Sequence, residues 1–188
     1  MRRKKTKCFR HSGFAFSAGT ANVYDARMAL IRILVDGYSL LHNWPELAPG
    51  HPRHSERSRK ELVGVLTRYH DATGTPITVF FDGAGASATA PRHQADSAVE
   101  ILFSRRGQTA DQMIERAAHR FNDYGEVLVV TDDRAERNVV SDMGSSAASC
   151  ANFIRMIGSA LGELQDDLRN HNRSELTRFN HRSQRDLK

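Results

Sequence analysis

The chain has 188 residues, of which 39% are hydrophobic and 26% charged, so it is long enough for one globular domain with a proper core. No apolar run approaches the roughly 20 residues that a membrane helix needs, and we expect no membrane partner. The only two cysteines, Cys8 and Cys150, lie far apart. They give no disulfide framework and no metal-ligand spacing, so we expect a reducing, cytoplasmic compartment.

The net charge of +5 is unevenly distributed along the chain. Residues 1–28 contain seven Lys/Arg and one acid, whereas residues 29–188 contain 20 basic and 21 acidic residues. The folded part is therefore not globally basic. Any affinity for nucleic acid has to come from local patches or from the tails.

The sequence divides into three parts. Residues 1–28 show no sustained periodicity, and we interpret them as a disordered basic extension or as residues that precede a natural start at Met28. A transit peptide and a nucleic-acid-binding arm are two further interpretations of an Arg-rich, acid-poor segment. Residues 29–161 are predicted to form the folded domain. Residues 162–188 form a polar tail, for which a frayed helical continuation is one interpretation.

Apolar runs and helical periodicity alternate within the domain. Four apolar runs predict strands, and a short fifth strand is predicted after them: 30–35, 77–81, 99–103, 127–130 and 146–150. After the first strand, the pattern predicts a short helical or irregular segment from Leu40 to Pro45. Two helices are predicted to begin at the capping-box forms Ser58-x-x-Glu61 and Thr109-x-x-Gln112. A third helix is predicted over 134–143, and a fourth follows the last strand and runs through Leu161. This alternation indicates βαβ units and an α/β fold with a mostly parallel sheet of four to five strands.

Two other motifs are poor candidates for binding sites. Gly83-x-Gly85-x-x-Ala88 follows a strand, as a dinucleotide-binding fingerprint does, but Pro91 interrupts the helix that the fingerprint requires. We therefore expect no nucleotide cofactor. His51 and His54 are too few for a metal site and lie in a proline-rich loop, so a solvated loop is the better interpretation.

Acidic side chains follow several of the predicted strands. Asp36 ends the first strand, Asp82 the second and Asp132-Asp133 the fourth, while Asp111 lies in the first turn of a helix that follows the third. Right-handed crossovers bring the carboxyl ends of parallel strands to one edge of the sheet. Carboxylates gathered there repel one another, which raises their pKa values and lowers the stability of the fold. A divalent cation bound among them removes that loss of stability. Hard oxygen ligands favour Mg²⁺ or Mn²⁺, which suits metal-activated hydrolysis of a phosphodiester.

The same stretches resemble the YacP-type NYN domain family of the PIN-like nuclease superfamily. The resemblance covers about residues 30–157, and its motifs stand in the expected order: Val35-Asp36-Gly37-Tyr38, Trp44-Pro45-Glu46-Leu47, Phe81-Asp82, Thr109-Ala110-Asp111 and Val130-Thr131-Asp132-Asp133-Arg134. It implies a three-layer Rossmann-like fold and a metal-dependent endoribonuclease that acts on single-stranded RNA. It also implies that ribosome-associated mRNA is a possible substrate class.

The resemblance also implies roles for individual residues. Three acids match the family's catalytic and metal-binding positions: Asp36, Asp111 and Asp133. Asp82 and Asp132 are predicted secondary metal ligands, although the family often has serine at the position of Asp132. Ser39 replaces the asparagine that is usual in the family and is a candidate RNA-binding residue. The candidate phosphate-binding residues are Arg105, Arg106 and Arg134.

Two functions from different classes are consistent with the sequence. The first is a Mg²⁺- or Mn²⁺-dependent endoribonuclease. The second is a catalytically weak RNA- or ribosome-binding module of the same fold, which the serine at position 39 and the basic extension suggest. Tyr38 or Trp44 offers a ring for stacking an unpaired base, although a core role is the better interpretation of Trp44.

Overall fold

The computed structural model describes residues 30–83, 99–105 and 107–185. Within them the chain forms an α/β domain whose strands and helices alternate, as the sequence predicts. Its elements are β1 (Leu30–Asp36), α1 (Gly37–His42), a 3₁₀ turn (Pro45–Leu47), α2 (Glu56–Thr73), β2 (Ile77–Phe81), β3 (Val99–Phe103), α3 (Ala110–Asn122), β4 (Glu126–Val130), α4 (Arg134–Asp142), β5 (Ser146–Ala148) and α5 (Cys150–Arg185).

The five strands form one parallel sheet in the order β3-β2-β1-β4-β5. Because side chains alternate along a strand, β1 contributes to a core on each face of the sheet. Ile33 and Val35 pack with α2 and α5, whereas Leu34 packs with α3 and α4. The result is a three-layer architecture in which the central strand is buried on both sides.

The predicted strands are confirmed, with ends that differ from the predicted ones by at most two residues. Gly74 ends α2 in the left-handed conformation, at φ 72°, and Gly144 follows α4 at φ 89°. Both positions favour glycine because a Cβ is strained there. The capping box at the start of α3 is also confirmed, since Thr109 and Gln112 satisfy each other's backbone amides.

The predicted start of α2 is wrong. Ser55, not Ser58, is the N-cap residue, and its hydroxyl accepts a hydrogen bond from the Ser58 amide at 3.1 Å. Ser58 lies inside the first turn, where its buried hydroxyl donates to the Pro52 carbonyl at 2.8 Å. The sequence contains two serines at capping spacing, and this loop contact determines which of them caps the helix.

The last helix does not end at Leu161 but continues to Arg185, in agreement with the helical interpretation of the tail. Residues 163–185 contain neither proline nor glycine, so nothing in the sequence breaks the helix there. Leu164 and Leu168 are exposed on this extension. Among the described residues, no helix is long and apolar enough to cross a membrane.

Candidate metal centre

Asp36 stands where β1 ends and α1 begins. Its Oδ1 accepts hydrogen bonds from the amides of Tyr38 at 3.1 Å and Ser39 at 3.2 Å, so the carboxylate caps the following turn. Gly37 makes this abrupt turn possible, because a Cβ at that position would lie 2.3 Å from the Phe81 ring. The Asp-Gly sequence therefore holds one acid firmly at the carboxyl edge of the sheet.

Asp111 is brought to the same edge by the start of α3. The Oδ1 atom of Asp82 accepts a hydrogen bond from the Ala110 amide at 2.8 Å and a second from the Ser104 hydroxyl at 3.2 Å. Thr109 caps the same helix from within its own loop. Asp82 thus ties the end of β2 to the first turn of α3, and this contact places Asp111.

Glu136 supplies a third carboxylate, from the first turn of α4. Its side chain is buried, at 4% exposure, and neither carboxylate oxygen has a hydrogen-bond partner among the described residues. The helix is capped by Asp133, whose Oδ1 accepts from the amides of Ala135 at 2.7 Å and Glu136 at 3.4 Å. The Asp133 amide donates to the Thr131 hydroxyl at 3.1 Å. Glu136 is therefore not needed to satisfy that amide, as the third helical residue of a capping box would be.

The carboxylates of Asp36, Asp111 and Glu136 come together. One oxygen from each lies within 4.8 Å of the others. These three acids come from β1, α3 and α4, which meet at the carboxyl edge of the sheet. Glu136 is buried and the other two acids are half-buried, so three neighbouring negative charges are costly here unless protons or a cation neutralise them.

The pKa values of all three acids are raised. Burial is the largest cause for Asp36, followed by the charge of Asp111, while the Ser39 and Tyr38 amides oppose the shift. Burial also raises the pKa of Asp111, with further contributions from Asp82 and Asp133. For Glu136, burial and the neighbouring acids raise the pKa to about 7. The nearby Thr131 hydroxyl opposes that shift, although its contact with the Glu136 carboxylate falls outside ordinary hydrogen-bond geometry.

The other predicted acids act as helix caps. Asp82 and Asp133 cap α3 and α4, and Asp132 does the same for α5, since its Oδ1 accepts from the Cys150 amide at 3.0 Å. Each acid that follows β2 or β4 therefore satisfies a backbone amide at the start of a helix. A direct metal contact by these acids stays a prediction.

Ser39 connects α1 to the residues that follow β4 and to the start of α5. Its hydroxyl accepts from the Asp132 amide at 3.2 Å and from the Cys150 thiol at 3.6 Å. Burial raises the pKa of Cys150 to about 12, which keeps this sulfur protonated and able to donate. The hydroxyl is thus engaged in packing α1 against β4 and α5, and its predicted contact with RNA stays a prediction.

The predicted arginines are spread around the edge. Arg105 is exposed two residues after β3, Arg134 is exposed at the start of α4, and Arg106 lies outside the described residues. Most of the Gly83-to-Ala88 motif also lies outside them. Gly83 itself is explained by packing, because a Cβ there would lie 2.1 Å from the Ser104 carbonyl oxygen.

Glu136 is the site residue that the sequence analysis missed. Its signal is the spacing Asp133-x-x-Glu136 directly after a strand, which has the form of a capping box. In a capping box, the Glu136 carboxylate would accept a hydrogen bond from the Asp133 amide and would not be available to a metal. The structure shows otherwise because Thr131 takes the amide that the glutamate would have bound.

A parallel five-stranded sheet between two helical layers defines this chain as a PIN-like α/β domain. Residues 33–188 match the sequence profile of the YacP-like NYN domain, and the chain belongs to that family. A curated relative, uncharacterized protein YacP of Bacillus subtilis strain 168, is 29% identical over 126 residues, which is 66% of this chain and 74% of the relative. The family resemblance proposed from the motifs is confirmed.

Solved structures support the fold. The crystal structure of Rae1 (YacP) from Bacillus subtilis superposes with a TM-score of 0.65 at 24% identity, over 79% of this chain and 85% of the other. The structure of its W164L mutant gives a TM-score of 0.62 at 25% identity, over 75% and 83% of the two chains. The predicted three-layer fold is therefore confirmed. The nuclease-like class of the domain follows from the family match.

Proposed function

We propose that this protein is a metal-dependent endoribonuclease that hydrolyses phosphodiester bonds of single-stranded RNA, including mRNA on the ribosome. The observation that carries the proposal is the convergence of Asp36, Asp111 and Glu136, since one carboxylate oxygen of each lies within 4.8 Å of the others. Membership of a nuclease-like family supports the same reaction class.

The three acids fit a divalent cation. All of the grouped donors are carboxylate oxygens, which suit Mg²⁺ or Mn²⁺. Glu136 offers two buried oxygens without hydrogen-bond partners, and such a carboxylate is costly unless it is protonated or faces a cation. A cation held there would supply the positive charge that lowers the pKa of a bound water molecule and offsets the negative charge of the attacked phosphodiester.

The residues of the chain then have two kinds of role. Asp36, Asp111 and Glu136 hold the cation. Asp82 and Asp133 position Asp111 and Glu136, because they cap the helices on which those acids lie. This arrangement differs from the sequence prediction in giving the third ligand position to Glu136 and a positioning role to Asp133.

The serine at position 39 does not weaken the proposal. Its hydroxyl is used between Asp132 and Cys150, and the three grouped carboxylates come from other residues. Replacement of the usual asparagine therefore leaves the acidic group complete. The weak RNA- or ribosome-binding module remains the alternative that an activity assay has to test.

The test is cleavage of single-stranded and structured RNA in Mg²⁺, Mn²⁺ or EDTA. We expect metal-dependent cleavage of the single-stranded RNA, and its loss in an Asp36→Asn, Asp111→Asn double variant. Glu115→Gln is the matched control, since Glu115 lies one turn after Asp111 on the same helix and outside the grouped acids. Cleavage that survives both EDTA and the double substitution would overturn the metal site. RNA binding without any cleavage would favour the binding module.

A further inference from the structure

Aromatic side chains occupy the carboxyl ends of three neighbouring strands on the α2 side of the sheet. Tyr38 is the second residue of α1, which directly follows β1, and Phe81 and Phe103 end β2 and β3. The rings of Tyr38 and Phe81 lie 5.0 Å apart in an edge-to-face arrangement, and Phe81 stacks on Phe103 at 5.5 Å. This row is packed against the core, and it forms a firm base for anything placed above it.

Two side chains from the loop and helix that follow lie on this row. The exposed His54 ring is 4.5 Å from the Tyr38 ring, and the Arg59 guanidinium lies 5.9 Å above the Phe103 ring. Arg59 also donates to the Tyr38 hydroxyl at 3.4 Å and to the His54 carbonyl at 2.7 Å. We call His54, Tyr38 and Arg59 the aromatic–arginine patch.

The aromatic–arginine patch adjoins the acidic group through the backbone. The Tyr38 amide donates to Asp36 Oδ1, and Phe81 directly precedes Asp82. Phe81 packs into the core on the α2 side of the sheet, and because successive residues of a strand point to opposite faces, Asp82 points to the side of α3. The aromatic–arginine patch and the acidic group therefore lie at the same carboxyl edge of the sheet, which one RNA strand can cross.

We propose that the aromatic–arginine patch binds an unpaired base of the RNA strand, next to the phosphate held at the acidic group. The inference rests on the proposed function and assigns a base subsite to it. Rings offer a stacking surface for any base, and a guanidinium over a ring adds a cation that attracts the base and its phosphate. The bound RNA is therefore single-stranded near the cleaved bond, since a paired base cannot stack there.

The experiment measures binding of a labelled single-stranded RNA to the full chain with Asp36→Asn and Asp111→Asn, so that cleavage does not interfere. A series of RNAs, each with one abasic nucleotide, locates the base that matters. We expect one position at which base removal weakens binding about fivefold or more, in the range of one lost base stack. His54→Ala should abolish that position effect, and His54→Phe should restore it because a ring is retained.

Arg59→Gln has a matched control in Arg57→Gln, which removes the same charge from an exposed position of the same first turn. The proposal predicts that Arg59→Gln reduces the abasic effect and that Arg57→Gln leaves it in place. If the histidine and arginine only anchor the loop, their substitution lowers the melting temperature and leaves the abasic effect unchanged. That result would contradict the proposal that the aromatic–arginine patch binds a base.

Failure of the patch is distinguishable from failure of the nuclease. Metal-dependent cleavage by the unsubstituted chain, together with an abasic effect that His54→Ala does not change, overturns the patch alone. An abasic effect that depends on His54, without cleavage in any metal, overturns the nuclease and leaves base binding. Absence of RNA binding by the double variant, together with absence of cleavage by the unsubstituted chain, overturns both.

Discussion

Asp133 caps the helix on which Glu136 lies, and its Oδ1 accepts a hydrogen bond from the Glu136 amide at 3.4 Å. The acid that follows β4 is thus engaged with the backbone, and the acid three residues later reaches the buried group. This relationship changes the expected roles of two carboxylates. It also leads to predictions that separate a residue that holds the cation from one that positions it.

Glu136→Gln should make the cation-free protein more stable at pH 8 and change its stability little at pH 4. The folded-state pKa of Glu136 is about 7, above its ordinary 4.5, so the folded protein holds this proton more tightly than the unfolded chain does. Stability due to that proton is present below pH 4.5 and is lost as the pH rises to about 7. Well above pH 7, ionisation of Glu136 therefore lowers the free energy of unfolding of the cation-free protein by about 3 kcal/mol.

The measurement is urea unfolding in EDTA between pH 4 and pH 8. Glu115→Gln is the control, and it should keep the loss of stability that the unsubstituted chain shows as the pH rises. An equal pH dependence in Glu136→Gln and the unsubstituted chain would show that Glu136 is not the buried acid responsible.

Mn²⁺ or Mg²⁺ should raise the melting temperature more at pH 8 than at pH 5. A cation that binds the folded state stabilises it by about 2.7 kcal/mol at a concentration 100 times its Kd. Protons compete for the same carboxylates, whose pKa values are raised. Thermal unfolding with and without cation measures the effect, and the Asp36→Asn, Asp111→Asn variant should lose it. Equal stabilisation of that variant would place the cation elsewhere.

Ser39→Ala should lower the free energy of unfolding by about 1 kcal/mol, because the Asp132 amide loses its acceptor. It should leave cation binding nearly unchanged, since the hydroxyl packs against Asp132 and Cys150. Chemical unfolding and a Mn²⁺ titration of the same variant check both parts. A large loss of Mn²⁺ affinity at unchanged stability would instead give Ser39 a direct role at the metal.

Gly37→Ala should destabilise the protein by about 1–3 kcal/mol, because the added Cβ would lie 2.3 Å from the Phe81 ring. Gly64→Ala is a suitable control. Gly64 lies inside α2 with nothing within 4 Å of its added Cβ, so alanine there should stabilise the helix by about 0.5–1 kcal/mol. Urea unfolding of the two variants compares them directly, and equal effects would contradict the close packing behind Asp36.

The sequence was sufficient to predict the sheet and two of the three grouped acids. Asp36 and Asp111 were identifiable because each follows a strand or opens a helix with a recognisable cap, and parallel strands bring such positions to one edge. The motif set around them also identified the family.

The remainder depends on individual hydrogen bonds that the spacing of residues in the sequence does not determine. Ser55 and Ser58 are equivalent by spacing until the Pro52 carbonyl takes the Ser58 hydroxyl. Asp133 and Glu136 likewise form an ordinary capping pattern until Thr131 takes the Asp133 amide. In both cases one short-range hydrogen bond decides which side chain is left free for another contact.

The central claim is that Asp36, Asp111 and Glu136 together hold a divalent cation. A Mn²⁺ titration followed by calorimetry tests it most directly, on Glu136→Gln and Asp133→Asn side by side. Asparagine still caps a helix, so Asp133→Asn should keep Glu136 in place and retain saturable binding. Glu136→Gln should lose that binding. Undiminished Mn²⁺ binding by Glu136→Gln, with loss in Asp133→Asn, would contradict the account and make Asp133 the third ligand.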